Sequence, residues 1–279
     1  MNRFELSYRN QAGKGGAMTL EVVSRKAEGT SGKPPMLFVH GAWHGAWCWN
    51  KYFLPYFAEK GFDAYALSFR GHGNSYAPDN FRGTGISDYV SDVAAVIDRL
   101  QELPIIVGHS MGGLVAQKYL EENTLPAAVL LAPVPVRGVL GTTLRIARRH
   151  PLVFMKANLT LSLYPVVGSL DLAREAFFSK DMEQSLVKEY FRQLQDESYR
   201  AFLDMMFFKL PKPEKVDTDL LILGAENDTI FTMDELKQTA AEYDTFPEFF
   251  RGMAHDMMLE KDWQQVADRI IAWLEEKGI

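Results

Sequence analysis

The sequence predicts an α/β fold: a mostly parallel central sheet with helices on both faces and an inserted helical lid. Three observations predict it. Short apolar runs alternate with helical patterns along most of the 279 residues, the signature of a parallel sheet covered on both faces. The string Gly108-His109-Ser110-Met111-Gly112 places a serine between an apolar run and a helix-like one. The rhythm then breaks over residues 133–216, a block too long to be a loop. The implied division is a core of residues 1–132 and 217–279, with residues 133–216 as a helical lid inserted in it.

The elements follow in order. Residues 19–24 read as a strand, as do 36–39, which run into a glycine-rich loop and a helix over about 49–60. Residues 62–67 form the next strand. Val90, Val93, Ala94, Ile97 and Leu100 then mark one face of a helix. The apolar run 104–107 is the strand before the serine, and 114–122 the helix after it. Residues 127–131 and 220–223 are further buried strands. Leu236, Ala240 and Tyr243 suggest a helix, 246–250 a last strand, and Trp263, Val266, Ala267, Ile270, Ile271 and Leu274 a final amphipathic helix. Within the lid block, Pro151, Pro165, Pro211 and Pro213 break the helical pattern.

Composition bounds the function. A hydrophobic share of 47 % and a charged share of 24 % are those of a globular enzyme. The net charge of −6 argues against nucleic acid as a partner. Cys48 is the one cysteine, so no intrachain disulfide can form and a reducing compartment is expected. No apolar stretch at the start reads as a leader, and none elsewhere is long enough to cross a bilayer, which makes a cytoplasmic location the default.

The serine string carries the chemistry. A strand before and a helix after are what a nucleophile elbow requires: the turn is so tight that the positions two before and two after the serine must lack bulk, hence Gly108 and Gly112. A serine hydroxyl needs a base within hydrogen-bond reach. Among six histidines, His255 lies in a loop between the last strand and the last helix, at the end of the sheet where ligands bind. The base needs a carboxylate to hold its tautomer. Asp228, a few residues past the strand at 220–223, stands in the order Ser…Asp…His; Glu226 is the rival, and Asp256 is too close to His255 for easy orienting geometry. The oxyanion of an acyl-transfer intermediate needs two donors, and the amides of Met111 and of Ala42, in the loop after residue 39, are the candidates, with Trp43 second to Ala42. Trp43 is either core or acyl-pocket wall, whereas Trp47 and Trp49 read as core. Arg70-Gly71-His72-Gly73-Asn74-Ser75 reads as a structural turn, and the remaining histidines show no metal-ligand spacing.

These residues resemble the α/β-hydrolase superfamily over nearly the whole chain: the His40-Gly41 loop, Arg70-Gly71-His72-Gly73, Gly108-His109-Ser110-Met111-Gly112-Gly113, Asp228 and His255. The resemblance implies Ser110 as nucleophile, Asp228 as acid, His255 as base, Ala42 and Met111 as oxyanion hole, and no cofactor. The string from His40 to Trp49 is also similar to plant-type methyl esterases and hydroxynitrile lyases. The lyases carry threonine where Gly41 stands and lysine where Asp256 stands, so cyanohydrin cleavage is disfavoured. Dehalogenases and epoxide hydrolases of the superfamily use an aspartate nucleophile, and Ser110 argues against both.

The expected activity is hydrolysis of a small-molecule carboxylic ester with an apolar acyl group, through an acyl-enzyme. The lid supplies Phe154, Met155 and Met206, with Trp43, as candidate substrate-binding residues. Its first part is basic, with Arg137, Arg145, Arg148, Arg149 and Lys156 and no acid between Glu122 and Asp171; it suggests weak interfacial contact, against the reading of a solvated face paired with acids elsewhere. A carbon–carbon bond hydrolase or a cofactor-free perhydrolase or haloperoxidase would use the same triad. A non-catalytic ligand-binding receptor on this fold is the alternative of another class.

Overall fold

The computed structural model describes residues 2–8, 18–29 and 32–279. Among them run eight strands: β1 (Asn2–Tyr8), β2 (Met18–Arg25), β3 (Met36–Val39), β4 (Ala64–Leu67), β5 (Ile105–His109), β6 (Ala128–Leu131), β7 (Leu220–Ala225) and β8 (Pro247–Phe250). They form one sheet in the order β1-β2-β4-β3-β5-β6-β7-β8. β1 with β2 and β2 with β4 are antiparallel; every other pairing is parallel. The strand β1 has no counterpart in the sequence reading. Residues 1, 9–17, 30 and 31 lie outside the described residues.

The helices are α1 (Trp47–Asn50), α2 (Phe53–Glu59), α3 (Ile86–Ile97), α4 (Met111–Leu120), α5 (Leu140–Arg149), α6 (Pro151–Thr160), α7 (Leu170–Phe177), α8 (Gln184–Phe191), α9 (Tyr199–Leu203), α10 (Met233–Glu242) and α11 (Trp263–Glu276). Strand side chains alternate between faces, and two cores result. Met36, Phe38, Ile105, Val107, Val129 and Leu131 pack with Trp49, Phe53 and Phe57 of α1 and α2 and with Val266 and Ile270 of α11. Leu37, Val39, Ile106, Ala128 and Leu130 pack with Val93 of α3, Leu114 and Val115 of α4 and Leu236 of α10. Strands β3 to β6 are buried throughout, which is why they read as continuous apolar runs rather than alternating ones.

Between β6 and β7 the chain leaves the sheet to form α5 to α9. Pro151 occupies the first turn of α6, where its missing N–H costs nothing, so His150 closes α5 and opens α6 at one corner. The insertion packs into both cores, through Phe177, Phe178 and Tyr190 on one face and Ala201, Met205 and Met206 on the other. No helix among the described residues is long and apolar enough to cross a membrane.

From β3 the chain steps outward to β4 and then returns past β3 to β5, so the winding reverses between β3 and β5. The carboxyl ends of two such strands open a crevice between their loops. Val39 pairs with Gly108 there, which sets the loop after β3 beside the turn after β5.

Candidate active site

The turn after β5 carries Ser110 at φ +52° and ψ −117°, a conformation that a residue with a Cβ adopts only under strain. The glycines around it are forced by backbone approach. A Cβ on Gly108 would lie 2.6 Å from the Gly112 oxygen, and one on Gly112 would lie 2.4 Å from the carbonyl oxygens of both Val39 and His40. The Ser110 amide donates to the Leu131 oxygen of β6 (3.0 Å), and its carbonyl accepts from Leu114 (3.2 Å) and Val134 (3.1 Å). The serine thus caps α4, with the positive end of the helix beneath it, and is 8 % exposed.

His255 lies in the loop between β8 and α11. Its Nδ1–H donates to Asp228 Oδ2 at 2.7 Å, with both side chains buried. The other oxygen of Asp228 accepts the amides of Ile230 (2.7 Å) and Phe231 (3.0 Å), so the carboxylate is held by the turn that follows β7. This bond leaves His255 Nε2 as the free basic nitrogen. Glu226, the rival acid, is exposed and accepts from the Gly252 amide instead. Among the described residues no hydrogen bond joins the Ser110 hydroxyl to His255, a contact often open in an enzyme without substrate. The two residues are linked through His109, whose ring lies 4.7 Å from that of His255 and whose Nε2–H donates to the His255 carbonyl at 3.1 Å. Burial first, and then the neighbouring His255, push His109 down to about 3, so it is neutral.

The loop after β3 approaches the serine closely: a Cβ on Gly41 would stand 3.0 Å from Ser110 Cβ and 2.9 Å from His109 Nδ1. Among the described residues the amides of Ala42, Trp43 and Met111 meet no acceptor. Trp43 sits at φ +66° and is half-buried, its ring 5.8 Å from that of Phe177. Trp49 is core, packed on Phe38 and Phe53. Trp47 stacks between His44 and Tyr190.

A cavity of about 190 Å³ opens on Ser110, Ala42, Met111 and Trp43. The insertion closes it with Ile146, Val153, Leu163, Val166, Leu172, Phe202 and Met205, and Ile230 and Phe231 complete the wall. Phe154, Met155 and Met206 do not line it. Met155 is 52 % exposed, Phe154 is half-buried, and Met206 is buried in the core. Neighbours on a helix point about 100° apart, so the wall falls to Val153 and Met205 instead; composition could identify the helices but not their rotation. A π-turn at Asp204–Phe208 sets this phase, closed against Gly138, where a Cβ would meet the Met205 oxygen at 2.3 Å.

Three basic residues of the insertion find acids beyond residues 123–170. Arg145 makes a two-pronged pair with Glu235 (2.9 Å each), and Arg149 (2.8 Å) and His150 (2.9 Å) share Glu175 of α7 at the cavity wall. Arg70 is structural, forked onto the buried Asp92. His40 is buried and neutral, pushed well below its ordinary value by burial and then by His72. His44 and Asp256 form a buried pair although they stand 212 positions apart, so no local spacing announces it.

Comparison with known proteins identifies the family. Residues 36–269 match the model of the Alpha/beta hydrolase family. Epoxide hydrolase 1 of Caenorhabditis elegans is 34 % identical over 95 residues, covering 34 % of this chain and 23 % of that protein. Protein phosphatase methylesterase 1 of Bos taurus is 28 % identical over 136 residues, covering 47 % of this chain and 34 % of that one. The chain thus spans about a third or less of the length of these relatives. Among solved structures, the esterase RhEst1 from Rhodococcus superposes with a TM-score of 0.74 at 18 % identity, covering 99 % of both chains, a likeness of fold.

Proposed function

This chain belongs to the alpha/beta hydrolase family, and we propose that within it the protein is a serine hydrolase of carboxylic esters with a small, apolar acyl group. The observation that carries the reading is the buried 2.7 Å bond between His255 and Asp228, set at the sheet end where Ser110 is held at positive φ. His255 Nε2 takes the Ser110 proton as the oxygen attacks the ester carbonyl. The oxyanion forms against the amides of Ala42 and Met111, which have no other acceptor among the described residues. The imidazolium then protonates the leaving alcohol, and water, deprotonated by the same nitrogen, releases the acyl group and restores the serine. Asp228 accepts from Nδ1–H and holds the ring.

The cavity argues for the acyl side. At about 190 Å³ it is smaller than the ~300–1,000 Å³ of drug-sized ligand sites, and its wall is mostly apolar. Its charged members, Arg145, Arg149 and Glu175, are spent on ion pairs, which leaves no unpaired charge there to hold a diketone acid. The weak interfacial contact then rests on Arg137, Arg148 and Lys156, for which no ion pair is found among the described residues, and on the exposed Leu152 and Leu159.

The test is turnover of a p-nitrophenyl ester series from acetyl to palmitoyl by wild type and Ser110→Ala. We expect an optimum at short to medium acyl length and loss of activity by several orders of magnitude in the variant. No turnover of any ester by the folded wild type would overturn the reading. Swapping Arg148 and Lys156 to Glu should lower rates on anionic micelles while sparing soluble esters.

A further inference from the structure

Two imidazoles donate to carbonyls of the loop after β3, which the Gln195 amide also holds through the Trp43 carbonyl (2.9 Å) and the His44 amide through the Gly41 carbonyl (3.4 Å). His40 Nδ1–H donates to the Gly41 carbonyl (2.7 Å), with its tautomer fixed because Nε2 accepts the Phe69 amide (3.1 Å). His44 Nδ1–H donates to the Ala42 carbonyl (2.7 Å). In a trans peptide the C=O and N–H point in opposite directions within one plane. Holding the Gly41 oxygen therefore aims the Ala42 N–H, and holding the Ala42 oxygen aims the Trp43 N–H. Trp43 stands at φ +66°, a conformation that persists only where its surroundings over-determine it.

The far side of His44 leads back to the catalytic histidine. His44 Nε2 lies 2.9 Å from Asp256 Oδ2, with both side chains buried, and Asp256 is the residue after His255. A carbonyl and a carboxylate can only accept, so the His44 ring needs both protons. Burial opposes that charge, but the adjacent Asp256 carboxylate outweighs it: His44 is raised and Asp256 lowered from their ordinary values. Around His44 stand Trp47, stacked at 5.3 Å, Phe177 at 5.0 Å, and the neutral His109 at 6.3 Å, and the buried Glu197 adds to the upward push. The Asp256 amide donates to the Phe177 carbonyl (3.0 Å), which fastens the same junction to the insertion.

We propose that His44, bridging the Ala42 carbonyl and Asp256, is a positioning residue that aims the Trp43 amide into the oxyanion site beside those of Ala42 and Met111 and locks their loop to the segment carrying His255. The proposal rests on the esterase reading. A donor aimed at the oxyanion is worth more in the transition state than with bound substrate, so the effect belongs in kcat rather than KM.

The experiment compares His44→Phe, Asp256→Asn and Asp256→Ala. Phenylalanine keeps the ring between Trp47 and Phe177 but donates nothing. Asparagine can donate to Nε2 of a neutral His44, so the bond from Nδ1–H to Ala42 survives without charge. Kinetics on p-nitrophenyl butyrate, affinity for a trifluoromethyl ketone and hydrogen exchange of residues 40–48 are measured on each. Removing one oxyanion donor outright costs about 100- to 1,000-fold, and misaiming it should cost a good part of that. His44→Phe and Asp256→Ala are expected to lose roughly 30-fold or more in kcat, with KM within about threefold, to weaken ketone binding in parallel, and to exchange faster over 40–48. Asp256→Asn should stay within about fivefold of wild type on every measure. A folded His44→Phe with unchanged kcat and exchange would overturn the proposal. So would equal losses in Asp256→Asn and Asp256→Ala, the comparison that decides if His44→Phe does not fold. Should the wild type turn over no ester, the esterase reading fails by itself, and the exchange measurement still decides whether His44 orders the loop.

Discussion

Replacing Ser110 by glycine should make the protein inactive and more stable at once. The serine sits at φ +52°, and a residue with a Cβ held there stores about 1–3 kcal/mol. Glycine relieves that strain but loses about 0.4–1 kcal/mol through the greater freedom of its unfolded chain. The balance is roughly 0.5–2 kcal/mol in favour of glycine. Unfolding entropy scales with length, at about 2.1 cal/mol/K per residue. For 279 residues, 1 kcal/mol therefore shifts Tm by roughly 1.7 °C. Alanine is the control: it removes the hydroxyl but keeps the Cβ and the strain. Calorimetry at neutral pH should place Ser110→Gly about 1–3 °C above Ser110→Ala, with both inactive on p-nitrophenyl butyrate. Equal melting points, or glycine the lower, would refute the claim that the turn after β5 is strained.

The remaining predictions concern the same neighbourhood. Gly112→Ala puts a Cβ 2.4 Å from two backbone oxygens that cannot swing aside; it should lower Tm by about 5 °C or more, a cost of roughly 3 kcal/mol, and an unchanged melt would show that β3 and α4 can part cheaply. Asp228→Asn should cut kcat by about 10³–10⁴ with little change in fold, because the amides of Ile230 and Phe231 hold the amide oxygen in place and turn its NH₂ toward His255 Nδ1, forcing the wrong tautomer; loss of less than tenfold would count against Asp228. His109 is held down at about 3 when folded, below its unfolded value, so the stability it carries is complete above about pH 6.5 and is lost as pH falls toward 3. Wild type should therefore lose about 2 kcal/mol more than His109→Gln between pH 6 and pH 4, and parallel stability curves would contradict this. Met205→Phe narrows the cavity and should move the acyl optimum to a shorter chain in the ester series, whereas the buried Met206→Phe should disturb stability without moving that optimum.

How much of the fold could be read in the sequence depends on how each element is buried. Strands β3 to β7 are apolar runs of fixed length bounded by turn residues, and the alternation with helices left a parallel sheet as the sole economical arrangement. Strand β3 was legible to the residue, and the others to within a residue or two. Strand β1 was not. It pairs at the antiparallel edge, through a register that no apolar run announces. The insertion announced itself through a broken rhythm and its prolines, but the rotation of each helix did not. That rotation decides whether Val153 or its neighbours Phe154 and Met155 face the cavity.

The candidate site divides along the same line. Ser110, the glycines beside it, His255 and Asp228 are legible because a tight backbone turn or a fixed order along the chain constrains each of them locally. His44 and Asp256 carry no local constraint. Each seemed idle in sequence: Asp256 stands too near His255 to orient it, and His44 has no acid close by. What joins them is the winding of the sheet, which brings the loop after β3 under the loop after β8. A buried imidazole and a buried carboxylate that both seem unemployed are each costly unless paired, and that cost is itself a signal. It says that two such residues should be tested against each other before either is dismissed as solvated.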